Sequence, residues 1–503
     1  METKLMKFFA AVAAAAAALA AGASGRPVAT FAGKQVETLP VTLSAGPINK
    51  VFDGRQRERY QTKEGFVVSF DVTAPGELSL VYPGGAPDDL VVYPLSRGTG
   101  AKAADGSYVL KIDRPGQFVV SSLAGQVADL HVFANPPFAE PAAHGKVTRF
   151  ARGEHRPGLI APESGETVIL EEGAVVHAEV FVLNATNVTI CGRGVFDFSE
   201  WDRADPRAVA FREAHGLPRE DTEFACNPSV VYASSNVKVE GVTLKNAPFW
   251  TVVVRNGSTD IDIGNLKIVG NWRFNSDGIN IQASSRVRVH DSFVRSFDDC
   301  LVARAAYMDG DDGLPTRDLV FEDNVLWCDW GKNCEVWAGH KPTVMENIVF
   351  RRNALAHVHF TGCDVTTWYG SPSTVIRDIV FEDTEYDATE PRWREICQKE
   401  DGVPMDFERE TDLYLLYVTA WEPAENLGNQ QFGKPKDLSL YKADYDGIRF
   451  SRPRLFGSGW NRVLIKSATA TDYQHIRNVT LEGLPEGTVF DVSGNTDVGK
   501  KVK

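Results

Sequence analysis

The chain has 503 residues, of which 43% are hydrophobic and 24% are charged, with 43 Gly and 26 Pro. This composition excludes a disordered, collagen-like or coiled-coil chain. The 67 acidic and 53 basic residues give a net charge of −14, which argues against nucleic acid or an anionic membrane surface as a partner.

The first 25 residues have the pattern of a signal peptide. Lys4 and Lys7 are positively charged, residues 8–20 are apolar and rich in alanine, and Ala21-Gly22-Ala23 supplies the small residues that a signal peptidase requires. The apolar run is shorter than the roughly 20 residues of a membrane-spanning helix. We therefore expect residues 1–25 to be removed and the protein to be exported, to a periplasmic or extracellular location, with no membrane partner.

Residues 26–140 predict a small β-sandwich domain. Residues 66–72, 78–82 and 117–123 are short runs of β-forming residues, and turns rich in Gly, Pro and Asp separate them. Short strands punctuated in this way are typical of an antiparallel sandwich.

Residues 141–503 contain a repeat that predicts a solenoid. A polar residue followed by alternating β-forming residues recurs, and between positions 236 and 378 its successive steps are 24, 26, 32, 29 and 31 residues. A period of this length in strands, without helical patterning, indicates a parallel β-helix in which each repeat is one coil. The fold class that we predict is all-β: a right-handed parallel β-helix preceded by the small sandwich. The repeat begins at Asn187, Asn236, Asp260, Arg286, Asp318, Asn347, Asp378 and Asn478.

Two stretches interrupt the predicted coils, at about 199–228 and 385–445. Both are rich in charged residues, Pro and aromatics. Insertions on one face of a solenoid commonly form the walls of a binding cleft. The seven cysteines show none of the short paired spacings of a zinc site, so we expect buried thiols and neither a metal nor a cofactor.

Three carboxylates suggest the chemistry. Asp277 lies 21 and 22 residues before Asp298 and Asp299, close to one coil, so the three side chains should lie on neighbouring rungs. Adjacent side chains of a strand point to opposite faces, so Asp298 and Asp299 can both face a cleft only at a bend. Crowded carboxyls separate their pKa values, which provides the acid and the base that glycoside hydrolysis needs. The alternative is that these residues are turn residues or ligands of a structural cation.

The segments around these residues resemble those of a known group of enzymes. Residues 246–250 (Asn-Ala-Pro-Phe-Trp), 275–278 (Asn-Ser-Asp-Gly) and 298–304 (Asp-Asp-Cys-Leu-Val-Ala-Arg) are similar to successive signature segments of polygalacturonase-type glycoside hydrolases. The related dextranase and isopullulanase family has a similar arrangement and an N-terminal β-sandwich. The resemblance implies that Asp298 is the general acid, that Asp277 and Asp299 hold and activate water, and that hydrolysis inverts the anomeric configuration.

Two departures from the polygalacturonase pattern concern the substrate. Lys332 stands where those enzymes have the histidine of a Gly-His-Gly segment, and Asp364 begins the run that matches their Arg-Ile-Lys, which grips the galacturonate carboxylate. An acidic residue at that rung would repel a uronate. We therefore expect a neutral polysaccharide or oligosaccharide as substrate, such as an α-glucan.

Further residues are candidates for substrate binding. Sugar rings stack on aromatic side chains, and sugar hydroxyls bond to polar ones. Trp337 and Trp368 are the preferred stacking platforms, although packing against the solenoid is the alternative for each aromatic residue. The full set of candidates is Asn275, Arg304, Lys332, Glu335, Trp337, Asp364, Trp368 and Trp250.

Three other functions stay open from the sequence. One is hydrolysis of a galacturonan or rhamnogalacturonan chain through an altered subsite. A polysaccharide lyase would instead need a cationic base and usually calcium. A non-catalytic β-helix that binds carbohydrate would be unaffected by the change Asp298→Asn, whereas the hydrolase would lose its activity.

Overall fold

The computed structural model describes residues 25–45, 62–142, 145–202, 205–214, 227–305, 313–338, 343–359, 361–367, 373–388, 414–420, 442–457, 461–467 and 474–502. The described residues of 25–43 and 62–139 form one compact unit, and those of 140–502 belong to a second. The predicted signal peptide lies almost entirely outside the described residues.

The first unit consists of two five-stranded sheets, in the orders β2-β1-β5-β8-β7 and β3-β4-β10-β9-β6. Alternating apolar residues such as Leu78 and Leu80 on one sheet and Phe66 and Val68 on the other are buried in one core. This is the predicted sandwich, except that β10 pairs with β4 in parallel rather than antiparallel. Its strands are β1 (Val28–Phe31), β2 (Lys34–Val36), β3 (Thr38–Ser44), β4 (Thr62–Asp71), β5 (Gly76–Val81), β6 (Leu90–Tyr93), β7 (Gly100–Lys102), β8 (Tyr108–Ile112), β9 (Gly116–Ser122) and β10 (Leu130–Asn135).

The second unit is a right-handed parallel β-helix, which confirms the predicted fold class. Each coil contributes one strand to each of three faces. The first face is a twelve-stranded parallel sheet. Its strands are β11 (Val147–Phe150), β13 (Thr167–Leu170), β15 (Thr186–Gly192), β18 (Ser235–Glu240), β21 (Thr259–Gly264), β24 (Ser285–His290), β27 (Thr316–Glu322), β30 (Thr343–Arg351), β33 (Thr374–Glu382), β36 (Ala443–Ser451), β39 (Gln474–Leu484) and β41 (Thr496–Val502).

The second and third faces begin together on two long strands, β12 (Gly153–Ile160) and β14 (Ala174–Leu183), and then separate. The second face continues with β16 (Val195–Asp197), β19 (Thr243–Lys245), β22 (Lys267–Val269), β25 (Phe293–Ser296), β28 (Val325–Cys328), β31 (Ala354–His357), β34 (Glu385–Ala388) and β37 (Arg454–Gly457). The third face continues with β17 (Ser229–Tyr232), β20 (Val252–Arg255), β23 (Ile279–Gln282), β26 (Leu301–Arg304), β29 (Cys334–Ala338), β32 (Thr361–Thr367), β35 (Tyr414–Ala420), β38 (Arg462–Lys466) and β40 (Val489–Ser493).

The polar residue that begins each repeat has a left-handed backbone. The eight predicted positions, from Asn187 to Asn478, have φ between 51° and 59°. Asn and Asp tolerate this conformation better than most residues because their short side chains hydrogen-bond locally. At one further rung, Gly447 takes the position with φ of 75°. The sequence repeat is therefore a ladder of backbone kinks along the first face.

The inside of the β-helix is filled by aliphatic and aromatic side chains from all three faces. Cys300, Cys328, Cys334 and Cys363 are buried among them as free thiols, as expected for small apolar residues. Cys226 and Cys397 lie outside the described residues.

The two predicted insertions differ from what their sequences suggest. The first, at 199–228, contains the helix α1 (Pro206–Ala214) between β16 and β17. The second, at 385–445, is not one insertion, because β34, β35 and the start of β36 lie within it. Among the residues that the structure describes, no helix is long and apolar enough to span a membrane.

Candidate active site

The candidate residues meet at the turns that lead from the second face to the third. Ile279 pairs with Leu301, and Leu301 pairs with Cys334. Two residues before these three positions are Asp277, Asp299 and Lys332. The register therefore stacks these three residues on successive rungs. Trp250, two residues before Val252, has the equivalent position one rung earlier.

Asp298 and Asp299 both belong to this cluster because the chain bends between β25 and β26, as expected. A hydrogen bond stabilises the bend: the Ser296 hydroxyl donates to the Asp298 carbonyl oxygen over 2.6 Å. Gly331 packs against the bend so closely that a Cβ there would lie 2.5 Å from Oδ1 of Asp298.

Each aspartate has its own hydrogen-bond donor. Asn280 donates from Nδ2 to Oδ2 of Asp277 over 3.2 Å. The backbone N–H of Lys332 donates to Oδ1 of Asp299 over 2.9 Å. Asn275 donates from Nδ2 to Oδ2 of Asp298 over 3.3 Å, so this candidate for substrate binding contacts the acid itself. One donor is a backbone N–H and two are Asn side chains, and together they orient the carboxyls relative to one another.

Burial and mutual repulsion raise the pKa values of all three aspartates. For Asp277, burial and then the charge of Asp298 raise the pKa well above its ordinary value. For Asp299, burial raises the pKa, and Glu335 and Asp298 add to the increase. Burial, followed by the charge of Glu335, raises the pKa of Asp298 to about 6. A carboxyl with this pKa can still carry a proton near neutral pH, as a general acid must.

Arg304 lies at the centre of the cluster. Its Nη2 is 3.5 Å from Oδ2 of Asp277, 3.8 Å from Oδ2 of Asp299 and 3.9 Å from Oε2 of Glu335. The guanidinium carbon lies 4.5 Å from the ring centroids of both Trp250 and Trp337. The cation thus contacts two indole rings while it faces three carboxyls.

Lys332 forms a second charged group with Glu335 and Asp364. Register places Glu335 beside Asp364 on neighbouring rungs. The Lys332 ammonium is hydrogen-bonded to Glu335, and its Nζ is 3.6 Å from Oδ1 of Asp364. Although burial raises the pKa of Glu335, Lys332 and Arg304 outweigh it and hold that pKa below its ordinary value. Burial raises the pKa of Asp364 to about 6 in spite of Lys332.

The structure changes the role expected of the aromatic candidates. Trp250 and Trp337 are each only 5% exposed, and the ring of each packs on Arg304. They therefore support the cation, and neither is an open platform for a sugar ring. Trp368 lies outside the described residues.

Two residues that position the site were missed in the sequence. Asn280 contacts Asp277, and its Oδ1 also accepts a hydrogen bond of 3.0 Å from Nε of Arg304. The available signal was a polar residue between two isoleucines, Ile279 and Ile281, in a strand that is fully buried. Gly331 gave no signal, because its close approach to Asp298 appears only in three dimensions.

Part of the chain matches the sequence model of a known protein family. Residues 171–385 match the model of glycosyl hydrolases family 28. This stretch contains all three aspartates and the Arg304 and Lys332 groups. No curated protein matches the sequence.

Solved structures share the fold. Dex49A from Penicillium minioluteum has a TM-score of 0.55 at 13% identity, over 95% of this chain and 94% of that one. A hyperthermoactive exopolygalacturonase from Thermotoga maritima has a TM-score of 0.50 at 15% identity, over 71% of this chain and 84% of that one. At such identities the likeness concerns the fold alone.

The family match and the fold together define a glycoside hydrolase. The family model covers residues 171–385 and is one of polysaccharide hydrolases, which implies a carbohydrate substrate. The β-helix is the fold that the dextranase and exopolygalacturonase structures share with this chain.

Proposed function

We propose that this enzyme is exported and hydrolyses a neutral polysaccharide, such as an α-glucan, with inversion at the anomeric carbon. The observation that carries the proposal is the meeting of Asp277, Asp298 and Asp299 on neighbouring rungs, each with a separate donor. Export rests on the signal-peptide pattern of residues 1–25.

The roles follow from the environments of the carboxyls. Asp298, with its pKa raised to about 6, donates its proton to the glycosidic oxygen as the bond to the anomeric carbon breaks. Burial raises the pKa values of Asp277 and Asp299, while hydrogen bonds from Asn280 and the Lys332 backbone and the nearby cations Arg304 and Lys332 favour their charged forms, and we assign these two carboxyls the role of base. They hold a water molecule and take its proton as it attacks the opposite face of the sugar, which inverts the configuration.

The charges of the site favour a neutral substrate. Five carboxyls surround two cations, and both cations already contact carboxyls of the protein. A uronate carboxylate would therefore meet more negative than positive charge. Sugar hydroxyls, by contrast, can donate hydrogen bonds to carboxylate oxygens. The carboxyls are those of Asp277, Asp298, Asp299, Glu335 and Asp364.

One observation favours a pectic substrate instead. The Lys332 side chain is 21% exposed, whereas those of Glu335 and Asp364 beneath it are almost fully buried. Its ammonium could turn from these partners to a galacturonate carboxylate. This second candidate keeps the same three aspartates and changes only the sugar.

The two substrates are distinguished by measuring the release of reducing ends from dextran, pullulan, polygalacturonate and rhamnogalacturonan. We expect cleavage of dextran or pullulan and none of the acidic chains, because of the excess negative charge. Cleavage of an acidic chain alone would overturn the neutral substrate and support the role of Lys332 in uronate binding. If none of these or other glycans is cleaved, hydrolysis itself is wrong.

A further inference from the structure

Arg304 is enclosed in a way that a substrate-binding arginine is not. Its side chain is only 8% exposed, and the guanidinium carbon lies 4.5 Å from the centroids of two indole rings, those of Trp250 and Trp337. Its Nε donates to Asn280, and its Nη2 faces the carboxyls of Asp277, Asp299 and Glu335. The guanidinium is therefore already engaged by two indole rings, one amide and three carboxyls of the protein.

Burial of this cation is favourable only because of the carboxyls around it. Burying an isolated charge is unfavourable, and opposite charges with good geometry offset that cost. The register explains how they meet: Arg304 lies beside Trp337 on the next rung, and Val302, two residues before Arg304, pairs with Glu335. Three rungs of the third face thus contribute to one charged group.

We propose that Arg304 is a positioning residue, which acts as the central counter-ion of Asp277, Asp299 and Glu335 and does not contact the glycan. The inference rests on the proposed hydrolytic function and replaces the substrate contact expected from the sequence. Arg304 acts on the reaction through the carboxyls, by fixing their positions and the charge around them.

The test uses Arg304→Met, which keeps an apolar chain against the indoles and removes the charge. Because Arg304 lowers the pKa values of both Asp277 and Asp298, its loss raises both. We expect the acidic and the basic limb of the pH profile of kcat/KM to move upward by about one unit or more. Arg304→Lys keeps a cation, so its pH profile should shift less than that of Arg304→Met. In Arg304→Met, kcat should fall by a larger factor than KM rises.

A second measurement does not depend on activity. A carboxyl whose pKa is raised in the folded state contributes stability at low pH, and this contribution is lost as the pH rises through the folded pKa. Loss of Arg304 raises these folded pKa values further. The variant should therefore lose more stability relative to wild type at about pH 8 than near pH 4, where Asp277 and Asp299 carry their protons in the folded state of both proteins.

Arg255→Met is the matched control. Arg255 occupies the equivalent position two rungs earlier, is also buried, and has its guanidinium carbon 5.5 Å from the Tyr232 ring centroid. Its loss should move neither limb of the profile. If the Arg304→Met variant does not fold, Arg304→Gln removes the charge with a polar side chain.

A higher KM for Arg304→Met, with unmoved limbs and a stability difference that is the same at all pH values, would overturn the inference. Arg304 would then be a substrate contact. A wild type that cleaves no glycan would contradict the proposed function, while the pH dependence of stability would still test the role of Arg304.

Discussion

Asp277, Asp298 and Asp299 have identical side chains, and the mechanism that we propose gives them different tasks. Asp277 and Asp299 accept hydrogen bonds from groups fixed by the β-helix, namely Asn280 and the Lys332 backbone. Asp298 accepts from the side chain of Asn275, within a bend held by Ser296. The donors alone do not single out the acid; the proposed proton on Asp298 rests on the resemblance to polygalacturonase-type enzymes, together with a pKa raised to about 6.

The pKa of Asp298 makes a prediction about pH dependence. If Asp298 is the general acid, kcat/KM should decrease above about pH 6, by roughly tenfold per pH unit, because the proton is lost from the free enzyme. The profile of initial rates against pH measures this directly. A rate that rises steadily from pH 6 to pH 9 would show that another group supplies the proton.

At the scale of single residues, the sequence predicted which carboxyls meet but not what surrounds them. Asp277 is separated from Asp298 and Asp299 by about the length of one coil, so the sequence alone predicts that the three side chains lie close together. The burial of Trp337 against Arg304 depends on a contact across rungs, which no pattern within one strand reveals.

The turns between the second and third faces are the elements that carry the site. β25 and β26 enclose the bend at Asp298, and the following turn brings Gly331 against it. The helix α1 lies within the equivalent turn of an earlier coil, so at least one predicted insertion emerges on the side of the carboxyls.

The contact of Gly331 leads to a prediction about this turn. In Gly331→Ala the new Cβ would lie 2.5 Å from Oδ1 of Asp298 and 2.7 Å from its backbone carbon, so the bend must shift. We expect kcat to fall by roughly 10- to 100-fold, because a displacement of this size misplaces the acid. Steady-state kinetics, together with thermal unfolding to confirm that the variant folds, would measure the effect.

Gly499→Ala is the control for this change. A Cβ at Gly499 in β41 would find its nearest neighbour, the Val479 carbonyl oxygen, at an ordinary 3.7 Å. Its kcat should equal that of wild type. Equal kcat values for wild type and Gly331→Ala would show that the turn does not position Asp298.

The elements were predictable where the repeat has a polar left-handed residue. Gly447 takes that position in β36, so the polar residue that begins the other repeats is absent there. The sequence pattern therefore does not predict this strand. β35 was likewise assigned to an insertion, because it lies between two segments that do not follow the repeat. Its pairing with β32 shows that it belongs to the third face.

At the scale of the whole molecule, the β-helix creates the site by stacking. Each coil contributes one or two chemical groups, and the parallel register places the groups of successive coils side by side. Neutral Asn280, acidic Glu335 and acidic Asp364 lie along one outward row of the third face in this way. Residues far apart in sequence thus form one charged cluster, and its charge is the basis on which we propose a neutral substrate.

The change Asp298→Asn tests the central claim most directly, with reducing ends measured on whichever glycan the wild type cleaves. We predict that kcat falls by roughly 100- to 10,000-fold while the variant stays folded, because the amide cannot donate the proton of the acid. Asp378→Asn makes the same chemical change at a first-face position where other coils have Asn, and it should leave the rate unchanged. An Asp298→Asn variant that cleaves as fast as wild type would contradict the assignment of the catalytic acid and, with it, the mechanism proposed for this site.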